Sequence, residues 1–354
     1  MIRLLVVDDS ALMRRLLGDV FRAEGDFEVV TARDGAEALE TVASFKPDVV
    51  TLDVQMPRMD GLACLNRIML ERPCPVVMVS ALTAAGAEVT LEALQLGAVD
   101  FVAKPGGAIS LSIDELGPVL VETVRAAAGA KLRSSLRLQE RVRMQTGGAA
   151  APSIRPAPRA DLPPAECIVL VGCSTGGPQA LDTLLGPLSR TFPWPILIAQ
   201  HMPQTFTGPL SRRLDKLTDL TVMEVTSAVG LQPGHAYVGR GGADLVVSRR
   251  PGGLVALAAP AAPAHRWHPS VDRLVTSALQ HLPATAVIGV LLTGMGDDGA
   301  AAMTRLRAGG GRTIAESEDS AVVWGMPGEL VRLGGAEAVL PLEAIAGMLR
   351  RWAA

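Results

Sequence analysis

A serine in a glycine-rich turn is the residue of this chain best placed to do chemistry. Ser174 lies within residues 172–178 (GCSTGGP), directly after the apolar run 167–171 (CIVLV). This order predicts a buried strand, a tight turn and a helix that begins at Pro178. Backbone N–H groups at such a helix N-terminus can stabilise an oxyanion. Ser174 is therefore a candidate nucleophile, although glycine-rich turns of this kind also bind phosphate.

A nucleophilic serine needs a general base, and the chain has five histidines. His201 directly follows the apolar run 195–200 (PILIAQ), which predicts a second buried strand. Because the carboxyl ends of parallel strands meet at one edge of a sheet, we expect His201 to lie beside Ser174. Surface or helix-capping roles are expected for the histidines in turns or beside a helical stretch, namely His235, His268 and His281.

An acid is also needed to orient the histidine. The strongest apolar run of the second half, residues 287–292, leads into residues 293–299 (TGMGDDG). Asp297 or Asp298 would therefore lie at the same edge, although these acids could instead cap the helix that starts near Gly299. The order Ser, His, Asp differs from that of the α/β-hydrolases, but triads are defined by geometry rather than by order. The second half thus predicts a serine hydrolase outside the ordinary esterases.

A separate group of polar residues occupies predicted strand ends in the first third of the chain. Asp8 and Asp9 follow the first apolar run, Asp53 ends the third, Ser80 the fourth and Lys104 the fifth. Three carboxylates at one edge repel one another, so a hard cation such as Mg²⁺ is their natural partner. With the cation bound, an aspartate can attack a phosphoryl group, and the lysine and serine could then contact the added phosphoryl. These residues predict a phosphorylation site.

Alternating apolar runs and helical patterns position both groups of residues. Between residues 2 and 127 there are five such alternations, which predict an α/β fold with a doubly wound parallel sheet. The expected strands there are 4–7, 28–31, 49–52, 76–79 and 99–103. A second α/β pattern predicts strands 168–171, 195–199, 221–225, 286–292, 312–315 and 338–340, with antiparallel hairpin strands 235–239, 244–248 and 254–258.

The segment between the two patterns has the composition of a linker. It begins as a basic helical stretch and becomes rich in Gly, Ala and Pro. The basic residues favour a solvated helix over contact with nucleic acid. We place the first domain at residues 1–125, the linker at 126–164 and the second domain at 165–354.

Composition indicates a globular protein and excludes several classes of function. Of 354 residues, 49% are hydrophobic and 19% charged, and the net charge of −3 gives no electrostatic argument for binding nucleic acid or membranes. The four cysteines lack metal-ligand spacing, so reduced thiols in the cytoplasm are expected. The N-terminus does not read as a signal peptide, and no apolar run approaches the roughly 18 residues of a membrane span.

The first domain resembles the receiver domain of two-component response regulators. The resemblance rests on residues 7–10 (VDDS), 52–61 (LDVQMPRMDG), 80–81 (SA) and 104–105 (KP). It implies phosphorylation at Asp53, Mg²⁺ binding by Asp8, Asp9 and Asp53, and switching by Ser80, Phe101 and Lys104. Gln55 stands where such receivers often carry Glu, a position that lines the path of the hydrolytic water.

The second domain resembles the catalytic domain of the chemotaxis-specific protein-glutamate methylesterases, the CheB family. The matching motifs are 172–178, 200–203 (QHMP), 269–272 (PSVD), 292–299 (LTGMGDDG) and 320–327 (SAVVWGMP). The resemblance implies a Rossmann-like domain with Ser174 as nucleophile, His201 as base, Asp298 as orienting acid, and Thr175 and Met295 as oxyanion donors.

Together the two resemblances imply a phosphorylation-activated hydrolase. It would demethylate glutamate methyl esters and deamidate glutamines on methyl-accepting chemoreceptors during chemotaxis adaptation, and the unphosphorylated receiver would block access to Ser174. A chemotaxis histidine kinase is the expected phosphodonor, and Mg²⁺ is needed for phosphorylation but no cofactor for ester hydrolysis. Nucleic acid and direct membrane insertion are not expected. The alternative is a response regulator with a non-catalytic binding output, although the second half lacks a basic face and a helix-turn-helix signature.

Overall fold

The computed structural model describes residues 1–81, 83–104, 109–130 and 167–353. The chain divides into two compact units, whose largest continuous parts among the described residues are Met1–Ser80 and 167–353. The predicted linker from residue 131 onward and Pro105 of the receiver-like motif lie outside the described residues. Within the described ranges, no helix is both long and apolar enough to cross a membrane.

The first unit is built on a five-stranded sheet in the order β2-β1-β3-β4-β5. The strands and helices that alternate along this part of the chain are β1 (Ile2–Val7), α1 (Ala11–Ala23), β2 (Phe27–Ala32), α2 (Gly35–Phe45), β3 (Val49–Asp53), α3 (Gly61–Glu71), β4 (Val76–Ala81), α4 (Ala84–Leu96), β5 (Asp100–Lys104) and α5 (Ile109–Ala128). The central strand β1 pairs in parallel with β2 and β3, and every residue of β3 is buried, as expected for a sheet covered on both faces. The strand order reverses beside β1, which places a ligand crevice at the carboxyl ends of β1 and β3.

The second unit contains a seven-stranded sheet in the order β15-β14-β13-β6-β7-β10-β8 and a three-stranded antiparallel sheet in the order β11-β12-β9. Its strands are β6 (Ile168–Cys173), β7 (Ile196–Gln200), β8 (Thr221–Val225), β9 (Val229–Gly230), β10 (His235–Gly239), β11 (Ala243–Arg250), β12 (Gly253–Pro260), β13 (Val287–Leu291), β14 (Arg312–Glu316) and β15 (Ala338–Leu340). Its α-helices are α6 (Gly177–Leu185), α7 (Gln204–Leu217), α8 (Val271–Leu279), α9 (Ala300–Ala308), α10 (Met326–Arg332) and α11 (Leu342–Ala353). The predicted α/β class with parallel sheets and an antiparallel hairpin is confirmed.

The structure corrects the prediction for His235–Gly239. We expected an antiparallel hairpin strand, but this segment lies between β7 and β8 in the large sheet and is parallel to both. A parallel connection usually needs a dozen or more residues and a helix. Here the connection from β8 is only residues 226–234, and it contains β9, which pairs with β12 in the smaller sheet. That long-range pairing takes the place of a crossover helix.

The large sheet brings three strand ends together at its centre. The chain runs from β6 outward through β7 in one direction and returns to place β13 on the other side of β6. Strands β6, β7 and β13 are completely buried. Their carboxyl ends lead into Ser174, His201 and the loop that carries Asp298, so one edge of the sheet carries all three residues.

Candidate active site

Backbone hydrogen bonds fix the turn that carries Ser174. The Ser174 N–H donates to the Thr293 carbonyl (3.0 Å), and the Ser174 carbonyl accepts from the N–H of Gly177 (2.8 Å) and from Nε2 of Gln200 (3.0 Å). These bonds tie the end of β6 to the loop after β13 and to the end of β7. The half-buried Ser174 side chain therefore projects from a backbone held on two sides.

Two glycines are required for this turn to form. Gly176 has φ of +77°, and a Cβ there would lie 2.8 Å from the side chain of Val322. Gly294, on the facing loop, would place a Cβ 2.8 Å from the Ser174 Cβ. At Gly176 only glycine adopts this positive φ without strain, and at Gly294 only glycine avoids a clash with Ser174.

A buried hydrogen bond joins His201 to Asp298. The His201 Nε2 and the Asp298 Oδ2 are 2.8 Å apart, and the two side chains are 4% and 9% exposed. An ionised carboxylate only accepts hydrogen bonds, so this contact assigns the proton of a neutral His201 to Nε2. Nδ1 is then the nitrogen that can accept a proton. It has no hydrogen-bond partner among the described residues, so Ser174 Oγ is not bonded to it in this structure.

Asp298 lies against the N-terminus of α8, which keeps it ionised. Its Oδ2 also accepts from the Val271 N–H (2.7 Å), and its Oδ1 accepts from the Asp272 N–H (2.9 Å) and the Ser270 hydroxyl (3.0 Å). Burial opposes the charge, but the hydrogen bonds from His201 and from these two backbone N–H groups outweigh it, so the pKa of Asp298 lies below its usual value. The site therefore holds a negative charge beside the histidine.

The alternatives left open for the two acids are settled by their surroundings. The Asp297 side chain is exposed, whereas Asp298 is buried against His201. Neither side chain caps the helix that follows, since its N-cap is Gly299 and no side-chain cap bond is made there. The second acid of the pair is thus the one that contacts the histidine.

The predicted oxyanion donors lie on the two loops that meet at Ser174. The Thr293 hydroxyl donates to the Thr175 carbonyl (2.9 Å), and the Gly294 N–H donates to the Val323 carbonyl (3.0 Å). The first bond holds the loop that carries Met295 against the loop that carries Thr175, and the second holds it against the segment of Val323. Thr175 is buried and Met295 half-buried. Their role as donors stays a prediction.

Two residues of the site were not assigned from the sequence. Gln200 donates from Nε2 to the carbonyls of both Ser174 and His201, at 3.0 Å each, and so links the two backbones. The ring of Trp267 stacks on His201, with centroids 5.5 Å apart and 13° between the planes. For Gln200 the available signal was its place at the end of a buried strand beside His201. For Trp267 it was an aromatic residue just before the PSVD motif.

The first unit contains the predicted acidic cluster. Carboxylate oxygens of Asp8, Asp9 and Asp53 all lie within 4.8 Å of one another, with Asp8 and Asp53 buried and Asp9 exposed. Three carboxylates at this spacing, open to water on one side, form a donor set that fits Mg²⁺ with several waters. Gly61 permits this arrangement, because a Cβ there would lie 2.1 Å from the Asp53 carbonyl.

The predicted switch residues lie on the two strands beyond β3. Ser80 is a buried residue of β4, and Phe101 and Lys104 are half-buried residues of β5. In the sheet order, β4 follows β3, which ends in Asp53, and β5 follows β4. Their switching role stays a prediction.

The edge of the first sheet carries an acidic cluster typical of phosphoacceptor sites, and the edge of the second carries a histidine–carboxylate pair typical of hydrolases. A chain with both belongs to the class of hydrolases that also carry a phosphoacceptor domain. Comparison with known families agrees with this division. Residues 4–112 match the family model of the response regulator receiver domain, and residues 169–349 match that of the CheB methylesterase. The chain belongs to the CheB methylesterase family and carries a receiver domain, so it is an enzyme with a response-regulator input domain.

Relatives of the same architecture match it along nearly its whole length. The protein-glutamate methylesterase/protein-glutamine glutaminase 2 of Rhodopseudomonas palustris (strain BisB18) is 58% identical, and the alignment covers 99% of this chain and 98% of that protein. A relative of the same name, numbered 3, from Rhodospirillum rubrum is 53% identical, with coverage of 99% and 96%. The crystal structure of the Thermotoga maritima CheB methylesterase catalytic domain is 35% identical, with a TM-score of 0.51, and covers 52% of this chain and 98% of that one.

Proposed function

We propose that this chain hydrolyses the methyl esters of glutamate side chains, and deamidates glutamine side chains, on methyl-accepting chemoreceptors. Full-length relatives at 58% and 53% identity bear the corresponding name, which supports the substrate class. The observation that carries the proposal is the 2.8 Å hydrogen bond from His201 Nε2 to Asp298 at the sheet edge where β6 leads into Ser174. This contact leaves Nδ1 of the same ring as a base beside a candidate nucleophile.

The proposed reaction passes through an acyl-serine. Ser174 Oγ loses its proton to His201 Nδ1 and attacks the ester carbonyl carbon, while the N–H groups of Thr175 and Met295 stabilise the oxyanion. The tetrahedral intermediate expels methanol, or ammonia from a glutamine, after His201 returns the proton to the leaving group. Water gives a proton to the same nitrogen and attacks the acyl carbon. The bond from that carbon to Ser174 Oγ then breaks, His201 returns the proton to Oγ, and the receptor keeps a glutamate side chain. The Ser174–His201 hydrogen bond forms with substrate bound, as is common for catalytic contacts that are open in free enzymes.

The proposed regulation acts through phosphorylation of Asp53 by a chemotaxis histidine kinase. Asp8, Asp9 and Asp53 would hold Mg²⁺, which when bound offsets the negative charge of the phosphoryl group. Lys104 would pair with the new charge, and Ser80 and Phe101 would change position in response. Esterase activity would then rise, as part of chemotaxis adaptation in the cytoplasm.

Methanol release from methylated receptor membranes tests this proposal. The wild-type protein should release methanol, phosphodonor should increase the rate, and Ser174→Ala should release none above background. Asp53→Asn should keep the basal rate but lose the response to phosphodonor. Wild-type turnover equal to that of Ser174→Ala would refute the catalytic assignment, whereas equal rates with and without phosphodonor in intact protein would refute the regulation.

A further inference from the structure

The stacking of Trp267 on His201 points to a part in the reaction that the triad does not describe. The two rings are nearly parallel, at 13°, and their centroids are 5.5 Å apart. This distance is within the range at which an aromatic face attracts a cation. The His201 side chain is only 4% exposed, so water screens this attraction very little. Nε2 of the ring is hydrogen-bonded to the Asp298 carboxylate, 2.8 Å away.

The loop that carries Trp267 is firmly anchored. Asp244, which is fully buried, accepts hydrogen bonds from the N–H groups of Ala262 and Ser270 and from Nδ1 of His268. A guanidinium nitrogen of Arg273 donates to the same carboxylate. These bonds hold the backbone on both sides of Trp267, so the course of the loop that carries it is fixed independently of the contact with His201.

The surroundings of Trp267 also argue against a role as core filling. The residue is half-buried, whereas the large side chains that fill the core of this unit, such as Tyr237 and Phe206, are almost completely buried. Its indole Nε1 is the atom nearest to a Cβ placed on Gly296, at 3.9 Å. Trp267 therefore extends from the base toward the loop of the predicted oxyanion donor Met295.

We propose that Trp267 is a positioning residue, whose ring fixes the plane of His201 and stabilises the imidazolium formed when Nδ1 takes the proton of Ser174. The gain falls on the transition state, because the histidine is neutral before the proton moves and positive afterwards. Two charged groups also act on this imidazolium. Asp298 stabilises it directly, and the exposed Arg266, whose guanidinium carbon lies 4.8 Å from the Trp267 ring centroid, opposes it.

The proposal rests on the proposed serine-hydrolase reaction and is tested by comparing an aromatic with an aliphatic replacement. Trp267→Leu should lower kcat for methanol release by about 5- to 30-fold, the loss expected for a desolvated cation–π contact, and should leave KM within about twofold. Trp267→Phe should recover most of kcat. Trp352→Leu is the matched control. It removes a half-buried tryptophan of α11 whose ring lies under the guanidinium of Arg312, and it should keep the wild-type kcat.

Three results would overturn the proposal: a loss below threefold in Trp267→Leu, equal losses with Phe and Leu, or a change confined to KM. Thermal unfolding checks each variant, and Trp267→Met replaces the leucine variant if that one does not fold.

The rate at which a fluorophosphonate labels Ser174 gives a second readout that needs no receptor. Slow labelling in Trp267→Leu together with no wild-type methanol release would reject the proposed substrate but support this inference. Normal methanol release and labelling in Trp267→Leu would reject this inference alone.

Discussion

Two acids at the N-terminus of α8 have opposite environments, and exchanging each for its amide separates their roles. Asp298 has a lowered pKa because its hydrogen bonds outweigh its burial, whereas burial raises the pKa of Asp272. Asp272 accepts a hydrogen bond from the Ala302 N–H (2.8 Å), and the negative charge of Asp298 further disfavours its ionisation. The perturbation is Asp298→Asn, with Asp272→Asn as its matched control.

The structure sets the magnitude of the Asp298→Asn effect. The carboxylate accepts four hydrogen bonds, two on each oxygen, and an amide can accept on one side only. With the NH₂ group toward Ser270, the Asp272 N–H is left unsatisfied. With the NH₂ group toward His201, the Val271 N–H is unsatisfied and the histidine must change tautomer. Either orientation costs about 1–3 kcal/mol of stability.

The same two orientations bound the effect on the reaction rate. Retaining the tautomer but losing the charge weakens the support of the imidazolium by about tenfold, the difference between a charge-assisted and a neutral hydrogen bond. Reversing the tautomer removes Nδ1 as the base and costs about 10⁴-fold, as in other triads. For Asp298→Asn, kcat should therefore fall by between about 10-fold and 10⁴-fold. Asp272→Asn keeps an oxygen for Ala302, so kcat should stay within about threefold.

The assay measures methanol release under saturating substrate together with thermal unfolding of each variant. The reasoning is refuted if folded Asp298→Asn keeps kcat within twofold of the wild type. It is equally refuted if Asp272→Asn loses as much activity as Asp298→Asn, because the helix N-terminus rather than the charge on the histidine would then be the cause.

Three further predictions follow from the described contacts. Gln200→Leu leaves the half-buried carbonyls of Ser174 and His201 without their side-chain donor. The thermal midpoint should fall by an amount that corresponds to about 1–3 kcal/mol, and kcat should fall with it; an unchanged midpoint would contradict this. Burial opposes the charge of Asp244, but its hydrogen bonds hold its pKa below the usual value. Its contribution to stability is therefore complete above about pH 4 and is lost as the pH falls through the folded-state pKa. Between pH 7 and pH 3 the melting temperature of Asp244→Asn should fall less than that of the wild type. Chelation of Mg²⁺ by EDTA should abolish the response to phosphodonor, which requires Asp53, and leave basal methanol release unchanged; loss of the basal rate would place a metal in the ester-hydrolysing site.

Much of this arrangement could be predicted because parallel sheets concentrate function at strand ends. Ser174 and His201 come directly after continuous apolar runs, and Asp298 lies in the loop after a third; such runs are typical of strands in parallel sheets that are buried on both faces. The same argument located Asp8, Asp9 and Asp53, whose carboxylates do meet at one edge. In these cases local sequence and global topology agree.

The features that were missed depend on contacts between distant segments. The direction of His235–Gly239 is set by the pairing of β9 with β12, which no local pattern predicts. Trp267 meets His201 because buried Asp244 holds the loop on both sides of it. The residues alone could not decide between Asp297 and Asp298, or assign the tautomer of His201. Both depend on which carboxylate binds the N–H groups at the N-terminus of α8 and so contacts the histidine.

Fluorophosphonate labelling followed by peptide mass mapping tests the central claim most directly, because it reports a nucleophilic serine activated by its histidine. In the wild-type protein we predict a single adduct on the peptide that contains Ser174, and in His201→Gln labelling of that peptide slowed by at least about 10²-fold. An adduct on another residue, or labelling of His201→Gln at the wild-type rate, would contradict the account.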